Sequence, residues 1–163
     1  MKQAKQIIGY WCEEIQRGRA LGQGICVAVL DTGICAHPDF GKRILEFRDF
    51  VHRKEQMYDD SGHGTHVAGI LAGDGRISGG TYAGIAPKAS LLIAKVLDQD
   101  GNGSVESVLN ALGTVYAEKI SHPGRQYFCR SKAESGAKAE KTTDTWCGIS
   151  MGCRNCGGGV CGK

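Results

Sequence analysis

The stretch Asp60-Ser61-Gly62-His63-Gly64-Thr65-His66-Val67-Ala68-Gly69-Ile70 places a histidine between two glycines, directly ahead of an apolar run. Upstream, Val27-Ala28-Val29-Leu30-Asp31-Thr32-Gly33 ends an apolar run on an acid. An imidazole can take and return a proton near neutral pH, and a carboxylate can orient the ring and stabilise its charged form. Asp31 and His63 are therefore candidates for the acid–base half of a nucleophilic catalyst. Each also has a plainer reading. Asp31 followed by Thr32-Gly33 suits a turn in which the carboxylate bonds its own backbone. His63 suits a helix start, where the helix dipole favours a neutral ring. Gly62 and Gly64 would let another segment come close. His63 and His66 are three apart with no acid between them, whereas zinc metalloprotease helices carry histidines four apart around a glutamate.

These side chains need elements to position them. Ile25 to Leu30 is a short continuous apolar run, the mark of a strand covered on both faces. It leaves Asp31 at its carboxyl end, where open α/β sheets bind ligands. Ile44 to Val51 and Ala89 to Leu97 read as second and third strands. Apolar spacing predicts a helix over 3–16, carried by Ile7, Ile8, Trp11, Cys12 and Ile15. A second runs from about His63 to Ala72, closed by Gly73. A third runs from Ser104 to about Glu118, with Val105, Val108, Leu109, Leu112, Val115 and Tyr116 as its apolar side. His37-Pro38-Asp39 reads as a turn, 52–62 as a polar loop and Gly75 to Gly84 as a glycine-rich loop. Strands alternating with helices argue for an α/β fold with a parallel sheet.

The 163 residues suit one small domain or part of a larger one, and a hydrophobic content of 41% is enough for a packed core. A net charge of +3 is too mild to argue for nucleic acid or a membrane surface, and no apolar run reaches membrane-span length. Neither is expected as a partner. Met1 to Ile8 is basic but lacks the apolar core of a signal peptide, so a cytoplasmic location is expected.

The motifs agree in order and spacing with one family. Val27 to Gly33 with His37-Pro38-Asp39, then Ser61 to Gly69, then Gly84-Ile85-Ala86-Pro87, resembles the subtilisin-like serine proteases over about residues 1–118. The resemblance implies an incomplete doubly wound parallel sheet of the subtilisin type. It implies a serine endopeptidase in which Asp31 orients the imidazole and His63 takes the proton of a nucleophilic serine. Gly101-Asn102-Gly103 matches the edge segment that pairs with an extended peptide or protein substrate. No cofactor is required. Asp39 matches a position that ligates structural calcium in many relatives, although the loop at 73–83, which should supply the other ligands, differs here. Asp98-Gln99-Asp100-Gly101-Asn102-Gly103 begins like a calcium-binding EF-hand loop, but its twelfth position is Leu109, where a bidentate glutamate is needed. A polar turn before a helix explains those residues better.

After about Lys119 the periodic pattern stops, and a disordered or irregular tail is expected over 119–163. Five of the eight cysteines fall there, and Cys153, Cys156 and Cys161 with Cys147 make only part of a zinc site. The string Gly148-Ile149-Ser150-Met151-Gly152 lacks the threonine and proline that flank the family's nucleophile, and it falls too early in the chain. Ser150 is read as a chance match, and the nucleophilic serine as absent. The genetic code offers an account of this tail. Read one base later, residues 121–130 can spell His-Ile-Arg-Val-Val-Asn-Ile-Ser-Val-Gly, and residues 151–159 can spell Trp-Asp-Ala-Gly-Ile-Val-Val-Val-Val. Both resemble core strands of the same family, in order. The expectation is a protease truncated by a frameshift near 118–120 and inactive as written. A non-catalytic peptide-binding remnant, or half of a split protease, is the alternative.

Overall fold

The computed structural model describes residues 2–7, 10, 21–121 and 126–131. Four strands form one parallel sheet in the order β2-β3-β1-β4, with β1 at Ile25–Asp31, β2 at Ile44–Asp49, β3 at Ser90–Lys95 and β4 at Gln126–Ser131. The helices are α1 at Lys2–Ile7, α2 at His63–Ala72 and α3 at Val105–Ser121, with a short 3-10 turn at Arg76–Ser78. After β1 the chain places β2 at the edge on one side, returns to insert β3 between β2 and β1, then crosses to lay β4 on the other side. The carboxyl end of β1 is therefore the point where the strand order switches, the place where such sheets hold ligands.

β1 is buried from Cys26 to Asp31 because both of its faces are covered. Cys26, Ala28 and Leu30 join Leu92, Ala94, Val96, Ala111 and Val115 under α3. Val27 and Val29 join Leu91, Ile93, Ala68 and Ala72 under α2. Period-two alternation thus feeds two cores from one strand. Each buried Leu, Ile or Val adds roughly 1.5–3 kcal/mol of burial. The pattern of α3 departs from expectation. Val108, Ala111, Leu112 and Val115 face the sheet, whereas Val105 (68% exposed), Leu109 (61%) and Tyr116 (49%) face outward. A helix presents one stripe to a flat sheet, and small Ala111 is the residue at its centre.

The helix expected over 3–16 is present at Lys2–Ile7, and residues 11–20 lie outside the described residues. Two features lie past the boundary expected at 118. α3 continues to Ser121, and β4 pairs in parallel with β1, Ile25 facing Gln126 and Leu30 facing Ser131. No aliphatic alternation in the sequence marks that strand. The rest of the tail, with Cys147, Ser150, Cys153, Cys156 and Cys161, lies outside the described residues.

Two glycines lead to opposite expectations. A Cβ at Gly64 would collide with the backbone of Gly33, while one at Gly113, within α3, meets nothing within 4 Å. Gly64→Ala should destabilise the fold by roughly 1–3 kcal/mol through overpacking. Gly113→Ala should stabilise it by about 0.5–1 kcal/mol through helix propensity and a less flexible unfolded chain. Urea unfolding midpoints of the two variants against the parent check both signs.

Candidate active site

Asp31 ends β1 and is buried, and His63 opens α2. Asp31 Oδ1 lies 2.7 Å from His63 Nδ1 and also accepts the Thr32 amide at 2.8 Å. The turn reading of Asp31 and the pairing reading are both realised, on one oxygen. An imidazole that donates from Nδ1 presents Nε2 as the acceptor. The His63 side chain is 41% exposed against 4% for Asp31, so the pair is solvent-accessible on the ring side alone.

The pairing depends on how two turns meet. Gly33 has φ +127°, and a Cβ there would collide with the Tyr58 carbonyl. On its other side Gly33 meets Gly64 backbone to backbone. Gly62 plays a different part from the close approach expected of it. It has φ +85° and open space around it, and caps α2 without a side chain. The amides at the start of α2 are satisfied from outside. Gly64 N donates to Thr32 Oγ1 at 3.0 Å, and Gly62 N and Thr65 N donate to Asp59 at 2.8 Å each. Thr32 Oγ1 in turn donates to Asp59 at 2.8 Å, and Thr65 Oγ1 donates to the other Asp59 oxygen. The Cys35 amide donates to Thr65 Oγ1 at 3.0 Å. One carboxylate thereby ties the Asp31 turn to the His63 turn. It also takes up the helix amides that carry the dipole's positive end, so Asp31 rather than the dipole fixes the tautomer of the ring.

Two residues behind the pair carried no motif signal. Lys95, at the end of β3, is fully buried. Its ammonium donates to Asp60 Oδ1 at 2.6 Å, to the Thr32 carbonyl at 2.6 Å and to the Leu97 carbonyl at 2.9 Å, which satisfies all three of its protons. Asp49, at the end of β2, accepts the Val51, His52 and Lys54 amides and the Tyr58 hydroxyl. It shapes the loop that delivers Asp59. Burial, followed by the hydrogen bond to Asp49, pushes the Tyr58 hydroxyl up from its ordinary pKa. Asp59 and Asp60 sit next to the Ser61-Gly62-His63 string, and polar Thr32 and Thr65 each follow a candidate residue closely. That clustering was the available clue.

The expected substrate segment is an exposed loop. Asp98 Oδ1 accepts the Asp100 amide at 2.9 Å and the Asn102 amide at 2.8 Å, and Gly101 adopts φ +81°. This is the polar turn before a helix that the residues suggested. Gly103 packs so close to the Val96 carbonyl that a Cβ would clash. Gly101, Asn102 and Gly103 are exposed beside the carboxyl end of β3. His66 is exposed on α2 and does not join the pair. Among the described residues no cluster of three or more His, Cys, Asp or Glu is arranged to hold a metal.

Asp59 makes the site sensitive to acid. Burial pushes its pKa up, but the donors from Thr65, Thr32 and Gly62 outweigh this and hold it below the usual carboxylate range. A carboxyl with a depressed folded pKa contributes stability above its unfolded value of about 3.9, and that contribution is lost as pH falls through the folded value. The parent should therefore lose stability as pH drops below about 4. Asp59→Asn should start about 1–3 kcal/mol less stable near neutral pH, because the amide cannot accept at both ends. It should then show a shallower acid decline. Thermal unfolding at a series of pH values measures both.

Known proteins are similar to this chain in sequence and in fold. The profile of the subtilase family matches residues 22–148, running past 118. Serine protease AprX of Bacillus subtilis (strain 168) is 46% identical over 101 residues, 61% of this chain and 23% of the relative. Thermitase of Thermoactinomyces vulgaris is 42% identical over 99 residues, 60% of this chain and 34% of the relative. Among solved structures, sphericase aligns with a TM-score of 0.63 at 30% identity, over 72% of this chain and 39% of that one. A cold-adapted subtilisin-like serine proteinase aligns with a TM-score of 0.53 at 31% identity, over 61% and 34%. The chain spans about a quarter to a third of the length of these curated relatives. With the family profile covering most of its length and the Asp31–His63 pair in place at the carboxyl end of β1, the chain belongs to the subtilase family.

Proposed function

We propose that Asp31 and His63 are the acid–base half of a serine endopeptidase site. The observation that carries this reading is the 2.7 Å bond between them at the switch point of the sheet. In the reaction, His63 Nε2 accepts the proton of a serine hydroxyl as that oxygen attacks the peptide carbonyl. The ring then carries a positive charge, stabilised by Asp31, and returns the proton to the leaving amine. An extended peptide would lie along the exposed loop at Gly101 to Gly103, recognised by its backbone. No serine among the described residues is bonded to His63, so this half needs a nucleophile from elsewhere.

We further infer that the coding frame shifts near Glu118 to Ile120, so that the residues beyond are an out-of-frame reading of the family's next strands. Three observations support this. Aliphatic periodicity stops at that point, and the forced tryptophan at the Met151-Gly152 step begins an apolar run in the shifted spelling. The backbone of Gln126–Ser131 also lies beside β1 as a parallel strand, overlapping the segment whose shifted spelling is apolar. Nucleotide sequence tests the inference directly. The shifted frame should stay open and reach a Gly-Thr-Ser-Met string. An early stop codon in that frame rules it out.

Activity is tested by complementation. Mixed with a C-terminal fragment of a subtilase carrying the serine, the chain should hydrolyse a peptide substrate. His63→Ala should lower that rate more than about a thousandfold, since the triad acts as a unit. Peptide binding without hydrolysis in the mixture would favour a non-catalytic module instead.

A further inference from the structure

The turn at His37-Pro38-Asp39 matches a calcium position by family resemblance, and the oxygens there are already engaged by something else. Arg43, just ahead of β2, points its guanidinium into them. Its Nη1 donates to the Ala72 carbonyl at 2.5 Å and to the Ala89 carbonyl at 3.0 Å, and its Nη2 donates to the Asp39 carbonyl. Asp39 Oδ1 accepts the Ile77 amide at 3.0 Å, and the Asp39 carbonyl also accepts the Asp74 amide at 3.0 Å. Asp74 Oδ2 lies 4.0 Å from Arg43 and 3.5 Å from Arg76. Three carbonyls and the Asp74 carboxylate thus lie around a planar cation, while the Asp39 carboxylate is turned to the Ile77 amide. A calcium ion needs six to eight oxygens converging at about 2.3–2.6 Å. Here the three carbonyls instead take the two prongs of a fork, two on Nη1 and one on Nη2. The donor set does not fit the metal.

The positions of the partners show what the guanidinium does. Ala72 ends α2, Ala89 precedes β3, and Asp39 closes the turn after β1. The Arg43 carbonyl accepts the Leu91 amide at 2.7 Å, fixing the start of β2 to β3. One side chain therefore joins four segments at the amino-terminal end of the sheet. It supplies the C-terminal end of α2 with a cation, which the helix dipole favours. Arginine keeps its charge even where burial pushes its pKa down, and Asp74 and Asp39 oppose that push while Arg76 adds to it. A lysine could not span the same carbonyls, because its ammonium is a point and not a fork.

We propose that Arg43 is the resident cation of the Asp39 site, holding by covalent attachment the place that a structural calcium would take, so that the fold is indifferent to calcium. The inference is independent of catalysis. Thermal unfolding of the full chain tests it, in excess EDTA and in millimolar calcium chloride, for the parent, Arg43→Ala and Arg43→Lys. The parent midpoint should be the same in both solutions. Arg43→Ala should melt several degrees lower, and Arg43→Lys should recover only part of the loss. Methylguanidinium should raise the Arg43→Ala midpoint relative to its effect on the parent, by refilling the emptied fork. If Arg43→Ala does not fold, the Lys variant and the parent's response to calcium carry the test. A parent midpoint that rises with calcium or falls with EDTA would overturn the proposal. So would an arginine-free variant as stable as the parent, or a loss that methylguanidinium does not offset.

Discussion

Gly33 lies between two backbones, so that a Cβ on Gly64 would collide with the Gly33 carbonyl and a Cβ on Gly33 would collide with the Tyr58 carbonyl. No side chain can enter between the Asp31 turn and the start of α2. Their alignment is therefore left to groups at the rim, and these converge on Asp59. Its two oxygens collect donors from Thr32, Ser61, Gly62 and Thr65, which belong to both turns. The 2.7 Å bond between Asp31 and His63 is a consequence of that knot. Close backbone approach sets the separation, and the shared carboxylate sets the angle.

The sheet supplies the base on which the knot rests. β1 is central and covered on both faces, so Asp31 has little freedom. Two buried or half-buried cations serve opposite ends of the sheet. Lys95 gathers the Thr32 and Leu97 carbonyls and Asp60 at the carboxyl end, where the candidate site lies. Arg43 gathers the carbonyls of Asp39, Ala72 and Ala89 at the amino end. An unpaired charge in either place would be costly, and each is compensated by carbonyls and a carboxylate. The ammonium suits a compact three-acceptor pocket, whereas the guanidinium suits carbonyls spread across several segments.

α3 shows where one-dimensional pattern misleads. Val105, Leu109 and Tyr116 fall at helical spacing with Val108, Leu112 and Val115, and all six read as one apolar side. In the fold they divide into an inward and an outward group, because the sheet reaches only one stripe of the helix. β4 shows the converse. It has no apolar alternation, yet its backbone continues the sheet through hydrogen bonds to β1, which are blind to side-chain type.

The residues alone determined the parallel α/β architecture, the bounds of α2 and the strands at 25, 44 and 90. Each rests on local periodicity and on glycines that end an element. They also singled out Asp31 and His63 as candidates, since a strand end and a helix start are local features. Only the tertiary structure decided the parts of Asp59, Lys95 and Arg43. Their long-range partners, Thr32 for Asp59 and Lys95, and Ala72 and Ala89 for Arg43, lie 27 to 63 residues away in sequence, in turns whose approach depends on packing across the sheet. A buried charge is read from what surrounds it, and a chain written in one dimension does not say what comes to surround it.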